Sequence, residues 1–122
     1  MFAELLRSIV SRVEGSVGAL IMGMDGIAVE QVQDQQPAIG EKLNMVAAAH
    51  TTLLRNSMRM TSDVGVGALS ELTIMSSDLT LVMKLINKEY FLLIALRPDG
   101  NLGRARFELR KAQLQPEEEF VM

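Results

Sequence analysis

The stretch LIMGMDGIAVE, residues 20–30, consists of two apolar runs that are interrupted at Asp25-Gly26. Asp-Gly between apolar runs is a strong hairpin signal, because both residues tolerate the positive φ angles that a tight turn requires. We therefore predict two antiparallel strands, Val17–Met22 and Ile27–Val32. The first of them hardly alternates between apolar and polar residues, as a strand with one solvated face would. We predict that this strand is covered on both faces of its sheet.

The composition limits the size and the chemistry of the protein. Its 122 residues, of which 48% are hydrophobic, are enough for one domain with its own core. The chain has no cysteine for disulfides and a single histidine, which leaves little basis for an imidazole metal site. A formal net charge of −3 and an aromatic content of 4% argue against nucleic-acid binding. No catalytic, cofactor-binding or metal-binding residue is predicted.

Two kinds of targeting segment are not recognisable in the sequence. No run approaches the ~18 consecutive apolar residues that a membrane span needs. The charged residues Glu4, Arg7 and Arg12 interrupt the apolar stretch that a signal peptide would contain. We therefore expect a cytoplasmic protein without a membrane span.

Helix and strand signals extend on both sides of the hairpin. Apolar residues at three- and four-residue spacing predict an amphipathic helix that begins near Phe2 and ends at Gly15. A long middle helix is predicted at Pro37–Met60, then a glycine-containing loop over residues 61–68, and a last helix at Leu102–Leu114. Three more strands are predicted at Leu69–Met75, Leu79–Ile86 and Tyr90–Leu96.

The resulting order, α-β-β-α-β-β-β-α, predicts an α+β fold. Five antiparallel strands would form a sheet with the middle helix on one face and the terminal helices on the other, an α/β/α sandwich. This arrangement explains why the first strand is apolar on both sides. We predict one domain over residues 1–115, followed by a short acidic tail, residues 116–122.

The middle helix has two distinct sides on a helical wheel. The side predicted to face the sheet holds Ile39, Leu43, Val46, His50, Leu53, Leu54 and Ser57. The other side, which we call the small strip, is poor in charge and consists of Met45, Ala48, Ala49, Thr52 and Asn56.

The small strip has two interpretations. Small residues let helix backbones approach closely, so the same helix of a second copy could pack here across a two-fold axis. The open sheet edge at the third strand, with Leu69, Glu71 and Thr73, would extend this homodimer interface. The alternative is an exposed face rich in alanine, which is the best helix former.

Other polar residues of the helices also have two interpretations each. His50 is either a general base or pH switch, or a buried histidine bonded to a backbone group or to its dimer mate. Arg55 and Arg59 either bind an acidic or phosphate-bearing partner or form a solvated face. The basic residues near and in the last helix either interact favourably with the helix dipole or attract an anionic partner. They are Arg97, Arg104, Arg106, Arg110 and Lys111.

The element order, together with GALIMGMDGIAVE (residues 18–30) after an N-terminal helix, resembles the roadblock/dynein light chain family. LTIMSSDLTLVMKLINKEYFLLIAL (residues 72–96) is similar to the three-strand meander of that family. Gly103 lies near the start of the last helix, as a glycine does in many members. The likeness extends from about Phe2 to Leu114 and so includes nearly the whole chain.

The resemblance implies a non-enzymatic interaction module. Members form homodimers or heterodimers in which the sheet continues through the third strands and the second helices pair. They bind or regulate small Ras-like GTPases, as activators or as scaffolds, and the short length here suits a single-domain prokaryotic member of the MglB type. No motif in the sequence identifies the GTPase.

Two other classes of function compete with this interpretation. A small-molecule or signal-sensing scaffold without a GTPase partner is the alternative, since related sandwiches hold ligands between sheet and helix. Few convergent polar groups fall on predicted buried positions, which argues mildly against it. An enzyme is disfavoured, because no nucleophile–base pair, metal cluster or paired acid is recognisable.

Overall fold

The computed structural model describes residues 2–33 and 37–113, and only the backbone of residues 37–41. The predicted acidic tail, residues 116–122, lies outside the described residues. The chain order of the elements is the predicted one, except that two helices replace the middle helix. The elements are α1 (Phe2–Arg12), β1 (Ser16–Gly23), β2 (Ala28–Gln33), α2 (Pro37–Ala49), α3 (Thr51–Val64), β3 (Glu71–Met75), β4 (Thr80–Leu85), β5 (Tyr90–Leu96) and α4 (Leu102–Gln113).

The five strands form one antiparallel sheet in the order β2-β1-β5-β4-β3. Every residue of β1 is buried, which confirms that this strand is covered on both faces. The hairpin at Asp25-Gly26 is also confirmed, although Gly26 alone of the two has a positive φ, 85°. The Gly26 amide bonds to the Gly23 carbonyl at 2.9 Å, and the Asp25 carboxylate accepts a hydrogen bond from the Ile27 amide at 3.1 Å.

Helices cover both faces of the sheet, as predicted. On one face, α1 and α4 pack on alternate strand residues, with Leu6, Ile9 and Leu109 among the fully buried side chains. On the other face, Leu43 of α2 and Leu54 of α3 pack on the residues of opposite parity. The two apolar clusters are separated by the sheet, and each removes from water the side chains that point to its face.

The prediction of a single helix at Pro37–Met60 is wrong, because the helix breaks at His50. The Thr51 hydroxyl donates a hydrogen bond to the Ala48 carbonyl at 2.8 Å, and His50 Nδ1 lies 2.7 Å from the Val46 carbonyl oxygen. Side chains that bond to carbonyls of the preceding turn compete with the backbone ladder and bend helices. Leu43 and Ala47 before the break and Leu54 after it still pack on the same face of the sheet.

The position of Leu53 differs from the predicted one. It was predicted to face the sheet but is 44% exposed, and the inward positions of α3 are taken by Thr51 and Leu54. Val46, His50 and Ser57 are half-buried, whereas the side chain of Ile39 lies outside the description.

The loop predicted over residues 61–68 is wrong in its first half, because α3 continues to Val64. Gly65 ends the helix in the left-handed conformation, with a φ of 83°. The Gly65 amide bonds to the Ser62 carbonyl and the Val66 amide to the Thr61 carbonyl, both at 3.1 Å. This pattern satisfies carbonyls at the helix end that would otherwise lack partners.

Gly15 joins the α1–β1 turn to the turn between β5 and α4. It has a φ of 85°, and its carbonyl accepts a hydrogen bond from the Arg97 amide at 2.8 Å. A Cβ added at Gly15 would lie 2.4 Å from the Cα of Gly100, a distance that no side chain can adopt without moving the backbone. The two turns can approach this closely because residue 15 has no side chain.

We predict that Gly15→Ala lowers the free energy of unfolding by about 2–4 kcal/mol, from the positive φ and the clash with Gly100 together. Gly67→Ala is the matched control, since Gly67 also has a positive φ, 99°, but nothing lies within 4 Å of an added Cβ. Its loss is expected to be about 1 kcal/mol. Urea denaturation followed by circular dichroism measures both, and equal losses would contradict the role of the close approach.

Glu108 connects α4 to α1 through a buried carboxylate that is 1% exposed. Lys111 Nζ and Arg12 Nη1 lie 3.4 Å and 3.6 Å from Oε1, and Arg104 Nη2 lies 2.8 Å from Oε2, without hydrogen-bond geometry. Burial alone would raise the pKa of Glu108. The hydrogen bond from Lys111 and the charges of Lys111, Arg104 and Arg12 outweigh it and hold this pKa below its ordinary value.

We predict that Glu108→Gln lowers the free energy of unfolding by about 1–3 kcal/mol at neutral pH, because the three cations lose their buried counterion. A carboxyl group whose pKa is lowered by folding stabilises the protein above its unfolded pKa, and this contribution disappears as the pH falls through the folded pKa. The difference between wild type and variant should therefore shrink below about pH 4.

Urea denaturation across this pH range tests the prediction. Glu4→Gln provides the control, since Glu4 is an exposed carboxylate on α1, near the groove between α1 and α4. A difference between wild type and Glu108→Gln that stays constant down to about pH 3 would show that the carboxylate is not the stabilising species.

Candidate protein–protein interface

The small strip lies on the outer surface of α2 and α3. Met45 is 71% exposed, and Ala49, Thr52 and Asn56 are exposed as well. Ala48 is half-buried because it faces the β1–β2 turn. A Cβ added to Gly26 in that turn would lie 3.9 Å from the Cβ of Ala48. Four of the five strip residues are therefore exposed to solvent, and the fifth, Ala48, is partly covered by the hairpin.

The apolar part of this surface is longer than the strip that the wheel predicted. Leu53 belongs to it as well, and Met60 and Val64 follow at 63% and 73% exposure. Residues 44–54 contain no Lys, Arg, Asp or Glu. We refer to this enlarged surface, the small strip with Leu53, Met60 and Val64, as the outer helix surface. Leu53, Met60 and Val64 each lie four residues after another member of this surface, so they continue it along α3.

The edge strand β3 was the second part of the predicted dimer interface, and it is indeed an edge of the sheet. The Glu71 carboxylate accepts hydrogen bonds from Arg106 Nε and from the Thr73 hydroxyl, both at 2.9 Å. Glu71 and Thr73 thus face α4, whereas Leu69 packs with the α2–α3 cluster. The structure does not bring the side chains of Glu71 and Thr73 together with the small strip, because they lie on the α4 side of the sheet.

Arg55 and Arg59 flank the small strip on α3. One guanidinium nitrogen of Arg55 bonds to the Met24 carbonyl in the β1–β2 turn, and the other bonds to the Thr52 hydroxyl at 3.2 Å. Arg59 bonds to the Asn56 side chain at 3.0 Å. Arg55 therefore ties the helix to the hairpin, while Arg59 contacts only its own helix in these bonds. Nothing in the sequence signals the contact between Arg55 and Met24.

A cleft of about 780 Å³ opens between the C-terminal end of α3, the start of β3 and the β4–β5 turn. Its wall includes Met58, Leu69, Ile86 and Lys88, and the Gln113 amide at its rim bonds to the Leu85 carbonyl at 2.8 Å. The size is within the range of ligand pockets. Sequence reasoning did not predict this cleft, because residues from four separate segments form it.

Neither a metal centre nor a membrane-spanning helix is present among the described residues. Over residues 2–33 and 37–113, no group of three His, Asp or Glu side chains could hold a metal ion. Within the same ranges, no helix combines the length and the apolar character that crossing a bilayer requires.

Solved structures with this fold define the class of the protein. MglC from Myxococcus xanthus is 34% identical, with a TM-score of 0.71, and the match covers 97% of this chain and 98% of that one. A Roadblock/LC7 domain from Streptomyces avermitilis has a TM-score of 0.82 at 13% identity, covering 98% and 97%. A structure described as MglB with tetrameric arrangement has a TM-score of 0.77 at 14% identity, covering 92% and 82%.

The sheet order and the two helical layers are therefore those of a roadblock domain. At 34% identity over almost the full length of a relative in this group, the chain belongs to the roadblock/LC7 family. The predicted resemblance and the predicted fold class are both confirmed. No protein-family model matches the sequence, and no curated protein does either.

Proposed function

We propose that the protein is a non-enzymatic, homodimeric roadblock-type regulator or scaffold that binds a small Ras-like GTPase in the cytoplasm. The observation that carries this proposal is the outer helix surface, where Met45, Leu53, Met60 and Val64 are exposed apolar side chains and residues 44–54 contain no charged residue. Isolated proteins rarely leave a contiguous apolar surface in water unless it serves association.

A second copy of the chain is the natural occupant of this surface. α2 and α3 together extend over about 40 Å, which is long enough for the ~800 Å² per partner of a stable interface. Two-fold pairing places each residue against the equivalent region of the other copy, so the uncharged residues 44–54 avoid like-charge repulsion there. The exposed edge of β3 offers unpaired backbone groups that an antiparallel copy of the same strand could satisfy.

We predict that Ala49→Arg converts the dimer into monomers, since two unpaired cations would face each other in the helix seam. Ala49 is exposed in the single chain, so the substitution should leave the monomer folded. Ser11→Arg, at an exposed position of α1, is the control. Size-exclusion chromatography with light scattering at about 100 µM should give twice the 13.4 kDa chain mass for wild type and control. A wild type that runs at the single-chain mass would refute the homodimer.

The second half of the proposal concerns how a GTPase would be bound. Arg55 and Arg59 stand beside the outer helix surface on a helix, and both are held by hydrogen bonds. An arginine finger must enter the nucleotide site of its partner, for which an arginine on a flexible loop is suited. The segments at residues 31–37 and 65–70 contain no arginine. We therefore infer that Arg55 and Arg59 contribute to binding, and that any stimulation of hydrolysis comes from ordering the switch regions of the GTPase.

We predict that Arg59→Ala weakens GTPase binding but leaves the chemical step within about tenfold of wild type, whereas loss of an arginine finger costs ~10³ or more. Arg59 is preferred to Arg55 for the test, because Arg55 also supports the hairpin. Single-turnover hydrolysis at saturating concentrations of the variant separates binding from chemistry, with Arg97→Ala as the control at an exposed strand end. A finger-sized loss at saturation with intact affinity would show that Arg59 is catalytic.

The sensing scaffold without a GTPase remains the second candidate, and the cleft beside β3 is the observation that favours it. A ligand there would contact Met58 and Leu69, which belong to the α2–α3 layer. Such a protein would still dimerise but would show no affinity for any GTP-loaded small GTPase.

A further inference from the structure

The helical layer formed by α1 and α4 has a charge opposite to that of the rest of the chain. These two helices contain six of the twelve Lys and Arg residues but only two of the fifteen Asp and Glu residues. The six cations are Arg7, Arg12, Arg104, Arg106, Arg110 and Lys111. The other described side chains, in residues 13–33 and 42–101, include six Lys and Arg but eight Asp and Glu, so the excess of positive charge lies in the α1–α4 layer.

Internal ion pairs use only part of this positive charge. Glu108 is a single carboxylate with three cations around it, and Glu71 pairs with Arg106 at 2.9 Å. Among the residues that the structure describes, Arg110 is in no ion pair, and it is exposed. The layer therefore keeps an excess of positive charge after its structural pairs are formed. A purely structural role for these cations does not account for the excess.

The exposed side of α4 has an aromatic ring at its centre. Phe107 is 53% exposed, with the Arg104 guanidinium carbon 5.4 Å and Lys111 Nζ 5.7 Å from the ring centroid. Cations at these distances are attracted to the face of the ring. Arg104, Phe107, Arg110 and Lys111 form what we call the α4 face. It combines an apolar centre with a cationic rim, which is an anatomy typical of binding hot spots.

We propose that the α4 face binds a short acidic segment of a partner protein, in which an apolar side chain lies next to two or more carboxylates. The apolar side chain would cover Phe107, and the carboxylates would pair with the guanidinium and ammonium groups around it, a geometry for which arginine is well suited. α4 is about 18 Å long, which matches an extended peptide of five or six residues.

A peptide fits this face better than an anionic membrane does. Membrane-surface helices bury a row of several apolar side chains, whereas Phe107 is the large apolar side chain that α4 exposes. The acidic remainder of the chain would also repel an extended anionic surface. This surface lies on the opposite side of the sheet from the outer helix surface, so the inference does not depend on the proposed dimer or on a GTPase.

The test titrates the peptide acetyl-Glu-Glu-Phe-Glu-Glu-amide into the ¹⁵N-labelled full-length protein. Amide shifts should be confined to α4 and the adjacent end of α1, and calorimetry should give a dissociation constant that weakens as salt is added. Arg110→Glu should weaken binding about tenfold or more, and Phe107→Ser about fivefold. Lys42→Glu, the same charge change at an exposed site of α2, should leave affinity within about twofold.

Three outcomes would overturn the proposal. The first is equal affinity for the peptide in which all four glutamates are replaced by glutamine. The second is sedimentation with phosphatidylserine vesicles in the absence of peptide binding, which would identify a membrane as the occupant. The third concerns Glu117, Glu118 and Glu119, which precede Phe120 and have the same chemistry as the probe. Binding that appears only after these three are changed to glutamine would place the chain's own segment on the face.

Discussion

The rest of the structure depends on the pairing of two strands that have no polar face. β1 and β5 lie side by side in the middle of the sheet, with Ala19 opposite Ile94 and Leu20 opposite Leu93. Side chains of both parities on these strands are buried. A strand pair of this kind is stable in water only when both of its faces are covered, which requires two helical layers. The layers, the edge strands and the surfaces that they expose all follow from this requirement.

Sequence reasoning identified these strands because the relevant signals are local or periodic. Asp25-Gly26 specifies a turn through its own conformational preferences, and the apolar runs on each side need no knowledge of distant residues. The break at His50 is different, since Thr51 and His50 compete for carbonyls that a regular helix would use. Both residues are compatible with a helix on a wheel, so periodicity alone could not place the break.

The candidate interface was predictable to a similar extent. The small strip follows from the side-chain types on α2 and α3. Glu71 and Thr73 stay predicted interface residues through the edge of β3, with side chains on the α4 side, since Leu72 and Ile74 point to the α2–α3 layer and neighbours in a strand alternate. The bond from Arg55 to the Met24 carbonyl joins residues 31 positions apart and has no sequence signature. The cleft beside β3 was not predicted either, because residues that are distant in the sequence form it.

Among the side chains that the structure describes, those of α1 and α4 carry an excess of positive charge and the others an excess of negative charge, a separation that creates an electric dipole. In the field of a charged partner, such a dipole experiences a torque before any atoms meet, at separations up to about one Debye length, ~8 Å at physiological ionic strength. The protein would therefore approach acidic surfaces with its basic layer in front and turn it away from basic ones. Rotational steering of this kind raises the fraction of productive collisions without adding a single contact to the final complex.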